Sequence, residues 1–409
     1  MKIYLVGGAV RNSILNLPIT DKDWVVVGGY PDFFLKNNFK QVGKSFPVFL
    51  HPKTNEEYAL ARKEKKIGVG YTGFKIEYNS NITLKEDLSR RDLTINAIAQ
   101  DKKGNYIDPF NGIKDLKNGF IRHISHSFQE DPLRILRVAR FSAEFSHIGF
   151  TVAPDTMRLM INMVKKKEIL YLEPFRIWKE IEKAMKTKHP HVFFHTLESC
   201  SALPYLFPEL NQLWKLSVSN LILLNRFSLN KILLFGLSKI SQKTKRIDLR
   251  IAYLFLVSNI SQDNFVTIIN KLKNKKFEFI LIKNFLNRIK TPLYIKNLVL
   301  HIVRYKYFLI NIKFQSSQSI INMFYSIDAW RKPKIISLLS ILINYYYKNI
   351  FCHYEKNKLY YPGNFLKNSF DIAKSIPIHP ILNKNFKGIE IRKELNRQRI
   401  KKIEQWRNL

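Results

Sequence analysis

Two aspartates two residues apart are the side chains in this sequence best suited to holding a divalent cation. Asp21 and Asp23 precede the apolar run at residues 24–27, which has the pattern of a short buried strand. Residues i and i+2 of a strand point to the same side, so both carboxylates can face one small volume. Carboxylate oxygens suit hard divalent cations, and two such ions can stabilise the attacking and leaving oxygens of a phosphoryl displacement.

A glycine pair and an arginine precede the aspartates and could bind the phosphates of a nucleotide. An apolar run ends at Gly7 and Gly8, and Arg11 falls in a short helix predicted over residues 10–17. Glycines let backbone N–H groups approach a triphosphate, and a guanidinium can neutralise its charge. Either half alone is also typical of a turn before a polar strand. Both halves at this spacing resemble the signature of the DNA polymerase β-like nucleotidyltransferase superfamily.

A second arginine-rich segment, residues 87–97, adds a cation that could orient the same triphosphate. Arg91 could make bidentate phosphate contacts, and we expect Asp92 to hold its guanidinium. The alternative is a solvated helix end with a local ion pair, which contributes little. The segment resembles the Arg-Arg-Asp-x-Thr-x-Asn-Ala motif. Together with Gly-Gly-x-x-Arg and Asp-x-Asp, that motif marks class II tRNA nucleotidyltransferases and bacterial poly(A) polymerases.

A helix start followed by regularly spaced arginines forms the third motif. Pro132 suits the first helical position and Asp131 the N-cap before it, which is a complete structural explanation of Asp131. Capping does not explain Arg134, Arg137 and Arg140. Their spacing of three places them on one face of the helix, where they are expected to form a cationic ridge.

A carboxylate beside a guanidinium can discriminate between nucleobases. Cytosine and adenine both present an amino donor next to a ring-nitrogen acceptor, which matches the acceptor Asp131 and the donor Arg134. Uracil and guanine present a carbonyl and an N–H instead, so both pairs would be left unsatisfied, and that loss exceeds the gain from a made bond. This pair could therefore select C and A without a template strand.

With this motif the chain resembles bacterial CCA-adding tRNA nucleotidyltransferases. The likeness is nearly continuous over residues 1–207, thins over residues 211–318, and returns at residues 326–333 and 386–392. It implies template-independent addition and repair of the 3′-terminal CCA of tRNA from CTP and ATP, with release of pyrophosphate. The implied roles are catalysis and Mg²⁺ binding by Asp21 and Asp23, base recognition by Asp131 and Arg134, and nucleotide binding by Gly8, Arg11, Arg91, Arg137 and Arg140.

Three other functions remain open on these motifs. A poly(A) polymerase, or an enzyme adding only C or only A, would share the superfamily signature. A catalytically dead RNA-binding protein would fit the basic composition, although the intact pair of Asp21 and Asp23 argues against it.

Composition favours a polyanionic partner. The 409 residues include 68 Lys and Arg against 32 Asp and Glu, a net charge of +36. The tRNA acceptor end fits that bias, although compositional drift could also produce it. Cys200 and Cys352 are the only cysteines, which excludes a disulfide framework and fits a reducing cytoplasm. The apolar runs are shorter than a membrane span, no signal peptide is evident, and no obligate protein partner is indicated.

The glycine distribution predicts an α+β fold. Twelve of the 15 glycines lie at or before Gly149, so a turn-rich head with a mixed sheet and helices should precede a largely α-helical neck, body and tail. We expect a catalytic head over residues 1–125, a neck with the base-recognition helix over residues 126–210, a body over residues 211–330, and a tail over residues 331–409 that contacts tRNA.

The body departs from the subfamily that the chain resembles. Those proteins usually carry a His-Asp phosphohydrolase site, but no His-Asp dipeptide occurs here. The stretch where it would be expected, residues 252–258, is apolar and unsuited to metal binding. We therefore expect a degenerate body without phosphohydrolase activity. His191 and His195 have metal-ligand spacing but lack an accompanying carboxylate motif, which favours surface or capping histidines.

Overall fold

The computed structural model of the protein falls into two compact units, Met1–Pro208 (unit 1) and Glu209–Leu409 (unit 2). The structure describes residues 1–42, 48–66, 68, 74–218, 229–257, 272–351, 361–382, 386 and 388–408. Over these ranges, no helix has both the length and the apolar character required to cross a lipid bilayer.

Eleven strands lie in the described part of unit 1. They are β1 (Lys2–Val6), β2 (Asp23–Val27), β3 (Lys40–Val42), β4 (Val48–Leu50), β5 (Glu57–Leu60), β6 (Arg62–Lys66), β7 (Phe74–Tyr78), β8 (Ala99–Gln100), β9 (Tyr106–Ile107), β10 (Phe120–Ile121) and β11 (Thr151–Val152). Seven form one sheet in the order β3-β4-β5-β2-β1-β8-β9. Its pairs are antiparallel except β2 with β5, so the sheet is mixed.

The head sheet is buried on both faces because successive residues of a strand point to opposite sides. Val25 belongs to an apolar cluster with Val6 and Leu88. Its neighbour Val26 packs on the other side with Phe34 and Phe49. A sheet fixed by two clusters gives the residues at its strand ends a rigid support.

Helices complete unit 1. They are α1 (Gly8–Ile14), α2 (Pro31–Lys36), α3 (Leu84–Ser89), α4 (Gly112–Asn118), α5 (Leu133–Phe145), α6 (Pro154–Lys165), α7 (Pro174–Lys186), α8 (His191–Ser199) and α9 (Leu203–Leu206), and α10 (Pro208–Val218) starts at the last residue of the unit. The long helix α5 buries most of its length, including Ile135, Leu136, Val138 and Ala139 at 0% exposure. It packs against α7 and α8.

The rest of unit 2 is helical throughout its described part. Its helices are α11 (Leu229–Lys243), α12 (Ile247–Val257), α13 (Leu272–Arg288), α14 (Leu293–Ile310), α15 (Ser317–Ser326), α16 (Lys334–Phe351), α17 (Pro362–Lys374), α18 (His379–Leu382) and α19 (Ile389–Arg407). Helix α17 approaches α16 closely at Gly363, where the carbonyl of Ser340 leaves no room for a Cβ atom.

The α+β fold class predicted from the sequence is confirmed, and two local predictions need correction. The first helix covers Gly8–Ile14 instead of residues 10–17. The basic and glycine-rich composition of residues 63–73 predicts a mobile flap, but Arg62–Lys66 is strand β6, paired antiparallel with β7, while residues 67 and 69–73 lie outside the described part. The division into head, neck, body and tail stays a prediction.

Candidate active site

The two predicted metal ligands lie at the start of a central strand. Asp23 is the first residue of β2 and lies opposite Val6 of β1, so the end of β1 and the start of β2 meet at one edge of the sheet. Asp21 precedes it by two residues. Partial burial raises the pKa of Asp23, Arg91 opposes that rise, and the negative charge of Asp21 adds to it. The carboxylates therefore repel each other, and a cation between them would relieve the repulsion.

Glu57 brings a further carboxylate to the same edge, and its side chain is exposed, as expected for a glutamate at a strand end. It is the first residue of β5 and lies opposite Asp23 in the parallel register. Burial raises the pKa of Glu57, and the charges of Asp23 and Asp21 raise it further. Within the described ranges, however, no three His, Cys, Asp or Glu side chains are grouped closely enough to hold a metal ion. The oxygen donors still suit a hard divalent cation, with Asp21 and Asp23 as its pair of ligands.

The glycine pair ends β1 directly above the carboxylates. Gly7 has φ of +70°, and a Cβ atom there would lie 3.1 Å from Arg91 Nη1 and 4.0 Å from Asp23 Oδ2. Gly7 is thus the position that requires glycine, both for its backbone angle and for the nearby guanidinium. Gly8, the residue singled out from the sequence, begins α1, and a Cβ there would meet Arg11 Nη2 at an ordinary 3.6 Å.

Asp87, and not Asp92, holds Arg91, which corrects the expectation from the sequence. Arg91 Nη2 lies 3.4 Å from Asp87 Oδ2, and the same carboxylate receives Arg90 at 2.8 Å. Burial lowers the pKa of Arg91, although Asp87 counteracts it. The Nε atom of Arg91 is buried and has no hydrogen-bond partner in the described structure. A buried N–H left open beside Asp23 is a donor available to a phosphate oxygen.

Arg11 points into unit 1. Its Nη1 donates to Asn96 Oδ1 at 2.6 Å, and its guanidinium lies over the rings of Phe141 and Phe145 at 5.2 and 4.8 Å. Burial lowers its pKa to about 10, so the side chain stays charged at neutral pH. Arg11 therefore ties α1 to α5 in this structure, and its predicted nucleotide contact stays a prediction.

Asp92 binds Arg137 of the base-recognition helix. Arg137 Nε donates to Asp92 Oδ2 at 2.6 Å, and Asn96 Nδ2 donates to Asp92 Oδ1 at 3.1 Å. Burial would raise the pKa of Asp92, but Arg137 and Asn96 outweigh it, and the pKa lies well below its usual range. This ion pair joins the arginine-rich segment to α5 and so fixes the start of that helix relative to the sheet.

Asp131 and Arg134 meet at the start of α5. Asp131 Oδ1 accepts a hydrogen bond from the Leu133 backbone N–H at 3.0 Å, but α5 begins at Leu133 with Pro132 at its N-cap, so Asp131 lies one residue before the cap position that the sequence predicted for it. Arg134 donates from Nη2 to the carbonyl of Arg90, while its Nη1 is buried without a hydrogen-bond partner in the described structure. The guanidinium thus keeps one open donor, and the charge of the nearby Asp131 carboxylate acts on it without forming an ion pair.

The predicted cationic ridge is largely buried and neutralised. Arg140 donates to Glu180 Oε2 at 2.7 Å and to Glu144 Oε2 at 2.8 Å, and it stacks on Phe141 at 3.7 Å. Arg134 and Arg140 are only 9% and 8% exposed. Because partners from α7 and from the head occupy these side chains, the ridge is not a solvent-facing surface. A nucleotide contact by Arg140 stays a prediction.

Sequence reasoning missed three residues that hold the site together. Asp87 could have been found, since it lies four residues before Arg91 on a predicted helix. Arg176 and Glu180 could not have been found in this way. They lie one helical turn apart on α7 and bind Asp131 and Arg140, at 2.7 Å each, over sequence separations of 45 and 40 residues. Only the packing of α7 on α5 reveals their position.

Similarity to known families agrees with this geometry. Residues 3–122 match the family described as the poly A polymerase head domain, and residues 149–213 match the probable RNA and SrmB-binding site of polymerase A. The mixed sheet and these matches place the chain in the class of nucleotidyltransferases that share this head. Such enzymes generally work with a divalent metal.

The chain belongs to the family of CCA-adding enzymes. It is 49% identical over 420 residues to the CCA-adding enzyme of Buchnera aphidicola subsp. Baizongia pistaciae, covering 100% of this chain and 97% of that protein. It is 51% identical over 412 residues to that of Buchnera aphidicola subsp. Acyrthosiphon pisum (strain Tuc7), covering 100% and 98%.

Solved CCA-adding enzymes share the fold. A complex with CTP has a TM-score of 0.62, and a complex with ATP has 0.64, covering 98% of this chain and 87% and 86% of theirs. The Thermotoga maritima enzyme with tRNA has 0.61, covering 98% and 87%. Each is 21% identical to this chain, so these likenesses concern the fold alone.

Proposed function

We propose that this protein adds and repairs the 3′-terminal CCA of tRNA, transferring CMP, CMP and AMP stepwise from CTP and ATP with release of pyrophosphate. Family membership supports the reaction class, and the names of its relatives support the product. The solved relatives bound to CTP, ATP and tRNA support the substrates. The absence of any cysteine framework favours work in the cytoplasm.

The observation that carries the proposal is the open donor at Arg134 beside the acceptor at Asp131. Burying an N–H without a partner is unfavourable, so such a group is expected where a ligand supplies the acceptor. The ring nitrogen of cytosine or adenine is that acceptor, and the amino group of either base can donate to Asp131. One pocket can thus take CTP and ATP in turn.

Asp21 and Asp23 are proposed to hold Mg²⁺, because their donor set is hard oxygen and their mutual repulsion favours a cation. Bound there, Mg²⁺ would supply charge neutralisation and activation of the primer 3′-oxygen and the triphosphate. The open Nε of Arg91 binds a phosphate oxygen, and the turn at Gly7 before Gly8 allows backbone N–H groups to approach the triphosphate. Arg11, Arg137 and Arg140 keep α5 and its base-reading pair in place.

Single-nucleotide incorporation tests the proposal. Purified protein with Mg²⁺ is given tRNAs ending before CCA, after CC, and at the mature end, each with one of the four nucleoside triphosphates. We expect CMP addition to the first, AMP addition to the second, no extension of the third, and rejection of UTP and GTP throughout. Addition of U or G at rates comparable to C or A would contradict the base-reading assignment.

A poly(A) polymerase is the second candidate, because both matched families are described by that activity. The same assay separates the two functions. Repeated AMP addition to the mature end, or to an unrelated RNA, would identify a poly(A) polymerase, and transfer of C alone or A alone would identify a partial enzyme. Binding of tRNA without incorporation of any nucleotide would identify an inactive RNA-binding protein.

A further inference from the structure

Three large apolar side chains, two just before α7 and one in its first turn, are exposed to solvent within six residues. Leu170 is 54% exposed, Tyr171 69% and Phe175 59%. We call these three residues the aromatic shelf. Helix α7 buries its opposite face, including Ile177 and Trp178, so the fold does not need an aromatic residue at position 175. A local group of exposed apolar side chains indicates a surface that binds something.

Cations surround the aromatic shelf. Residues 165–179 contain five Lys or Arg side chains against two Glu, and Lys165, Lys166 and Lys167 are all exposed just before it. Lys179 lies over the ring of Phe175 at 5.4 Å and also pairs with Glu182 at 3.1 Å. Protein interfaces are depleted in lysine, whereas surfaces that bind single-stranded nucleic acid combine lysines with aromatic rings on which bases stack.

Residues on either side of the aromatic shelf in sequence contact the segment that carries Asp131. Arg176, next to Phe175, donates to Asp131 Oδ2 at 2.7 Å. Lys166 donates to the side chain of Gln129, two residues before Asp131, at 3.1 Å. A nucleotide lying on the shelf would therefore be a neighbour of the nucleotide read by Asp131 and Arg134.

We propose that the aromatic shelf binds the unpaired 3′ segment of the RNA substrate by stacking its bases on Tyr171 and Phe175, while the flanking lysines contact its phosphates. This inference rests on the proposed function, because it assigns a place to the RNA end that the enzyme extends. Stacking tolerates any base, so the shelf positions the RNA end without contributing to the choice of the incoming nucleotide.

The test is a double variant, Tyr171→Ala/Phe175→Ala, in the full chain. We expect the KM for tRNA lacking CCA to rise about tenfold or more, with the KM for CTP and the kcat at saturating RNA changed less than about twofold. The matched control is Tyr30→Ala/Phe33→Ala on α2, where rings that are 61% and 44% exposed lie away from α7 in sequence. It should leave all three constants unchanged, and the ring-preserving Tyr171→Phe/Phe175→Tyr variant should retain wild-type values.

A binding assay separates the shelf from the proposed reaction. RNA with 2-aminopurine as its last unpaired base should lose fluorescence on binding to the wild type and to the control, and much less on binding to the double variant. Lys165→Gln/Lys179→Gln, which keeps both rings, should lower the slope of log K against log salt by about 1.4. If the double variant shows an unchanged KM for RNA and unchanged quenching, the proposed role of the aromatic shelf in RNA binding is overturned. Wild-type protein that quenches but adds no nucleotide would overturn the proposed function alone.

Discussion

Arg176 Nη2 lies 2.7 Å from Asp131 Oδ2, so helix α7 holds the carboxylate that is expected to read the base. The other oxygen of Asp131 accepts the Leu133 backbone N–H at 3.0 Å. Each carboxylate oxygen has two acceptor sites, so Asp131 can still accept a hydrogen bond from a base. The hydrogen bond to Leu133 and the predicted base-reading role of Asp131 are therefore compatible, and Arg176 fixes the orientation of the carboxylate.

Replacing Arg176 by Ala should weaken base selection. Loss of a hydrogen bond to a charged group removes about 1.5–3 kcal/mol of support for one orientation of Asp131. We expect the ratio of correct to incorrect nucleotide incorporation to fall about tenfold, and the KM for CTP and ATP to rise. Single-turnover incorporation of each triphosphate measures both quantities. Arg158→Ala, an exposed arginine on α6, is the control, and equal fidelity in the two variants would exclude a positioning role for Arg176.

Replacing Asp21 or Asp23 by Ala should abolish the addition of both C and A while leaving tRNA binding nearly intact, because the defect lies in metal-dependent chemistry. Binding is measured by filter retention and addition by primer extension on the same preparations. A variant that kept A addition at a near wild-type rate would contradict the use of one site for both nucleotides.

The isosteric variant Asp23→Asn should raise the melting temperature in EDTA. Burial and Asp21 raise the pKa of Asp23 in the folded protein, so ionisation of Asp23 destabilises the fold at any pH above its unfolded value of roughly 4. Removing the charge removes that penalty at neutral pH. Added Mg²⁺ should raise the melting temperature of the wild type and of the control Asp32→Asn, but not of Asp23→Asn. An equal Mg²⁺ effect in all three proteins would exclude Asp23 as a ligand.

Replacing Asp92 by Asn should destabilise unit 1 and displace Arg137. Removing one partner of a fully buried ion pair costs about 3–5 kcal/mol, and we expect roughly 2–3 kcal/mol here because the Arg137 side chain is 34% exposed. Arg137 and Asn96 depress the pKa of Asp92, so its contribution is complete above roughly pH 4 and disappears as the pH falls through the folded value. Urea unfolding of the wild type and the variant at pH 7 and pH 3 measures the contribution of Asp92 to the free energy of unfolding. The variant should lie well below the wild type at pH 7, the difference should have begun to narrow at pH 3, and a constant difference would exclude the ion pair as its cause.

Binding of tRNA should weaken steeply with added salt. The net charge of +36 favours many phosphate contacts, each of which releases counterions. For about six contacts, affinity should fall roughly a thousandfold between 50 and 200 mM salt. Fluorescence anisotropy over that range measures the slope, and a flat dependence would mean that the basic surplus is compositional drift.

No phosphohydrolase activity is expected from unit 2. Phe255 and Leu256 of α12 are 1% and 0% exposed, and the buried ammonium of Lys306 donates to the Leu256 carbonyl at 2.8 Å. Apolar side chains cannot ligate a metal, and an ammonium there opposes cation binding. Incubation with a 2′,3′-cyclic nucleotide and Mg²⁺, Mn²⁺ or Ni²⁺ should give no turnover. Turnover that survived in an Asp21→Ala/Asp23→Ala variant would reveal a second site.

Features that depend on local spacing could be predicted from the sequence. The pair Asp21 and Asp23, the glycine turn before Arg11, and the helix that follows Asp131 all act within a few residues, because strand alternation and helix capping are local rules. The α+β head and the helical remainder followed from the same periodicities. Helix ends moved by a few residues because terminal turns depend on the neighbours against which they pack.

The pairing of charged side chains depends on the tertiary packing and could not be predicted from the sequence. Asp92 was expected to hold the adjacent Arg91 but pairs with Arg137, 45 residues away, and Arg176 reaches Asp131 over the same separation. A guanidinium on a long flexible side chain pairs with whichever carboxylate the packing of α5 and α7 brings within reach, and the sequence records no such distance. The same packing buried the arginine ridge that spacing alone had placed on a surface, because it brings Asp92 and Glu180 from other segments against Arg137 and Arg140.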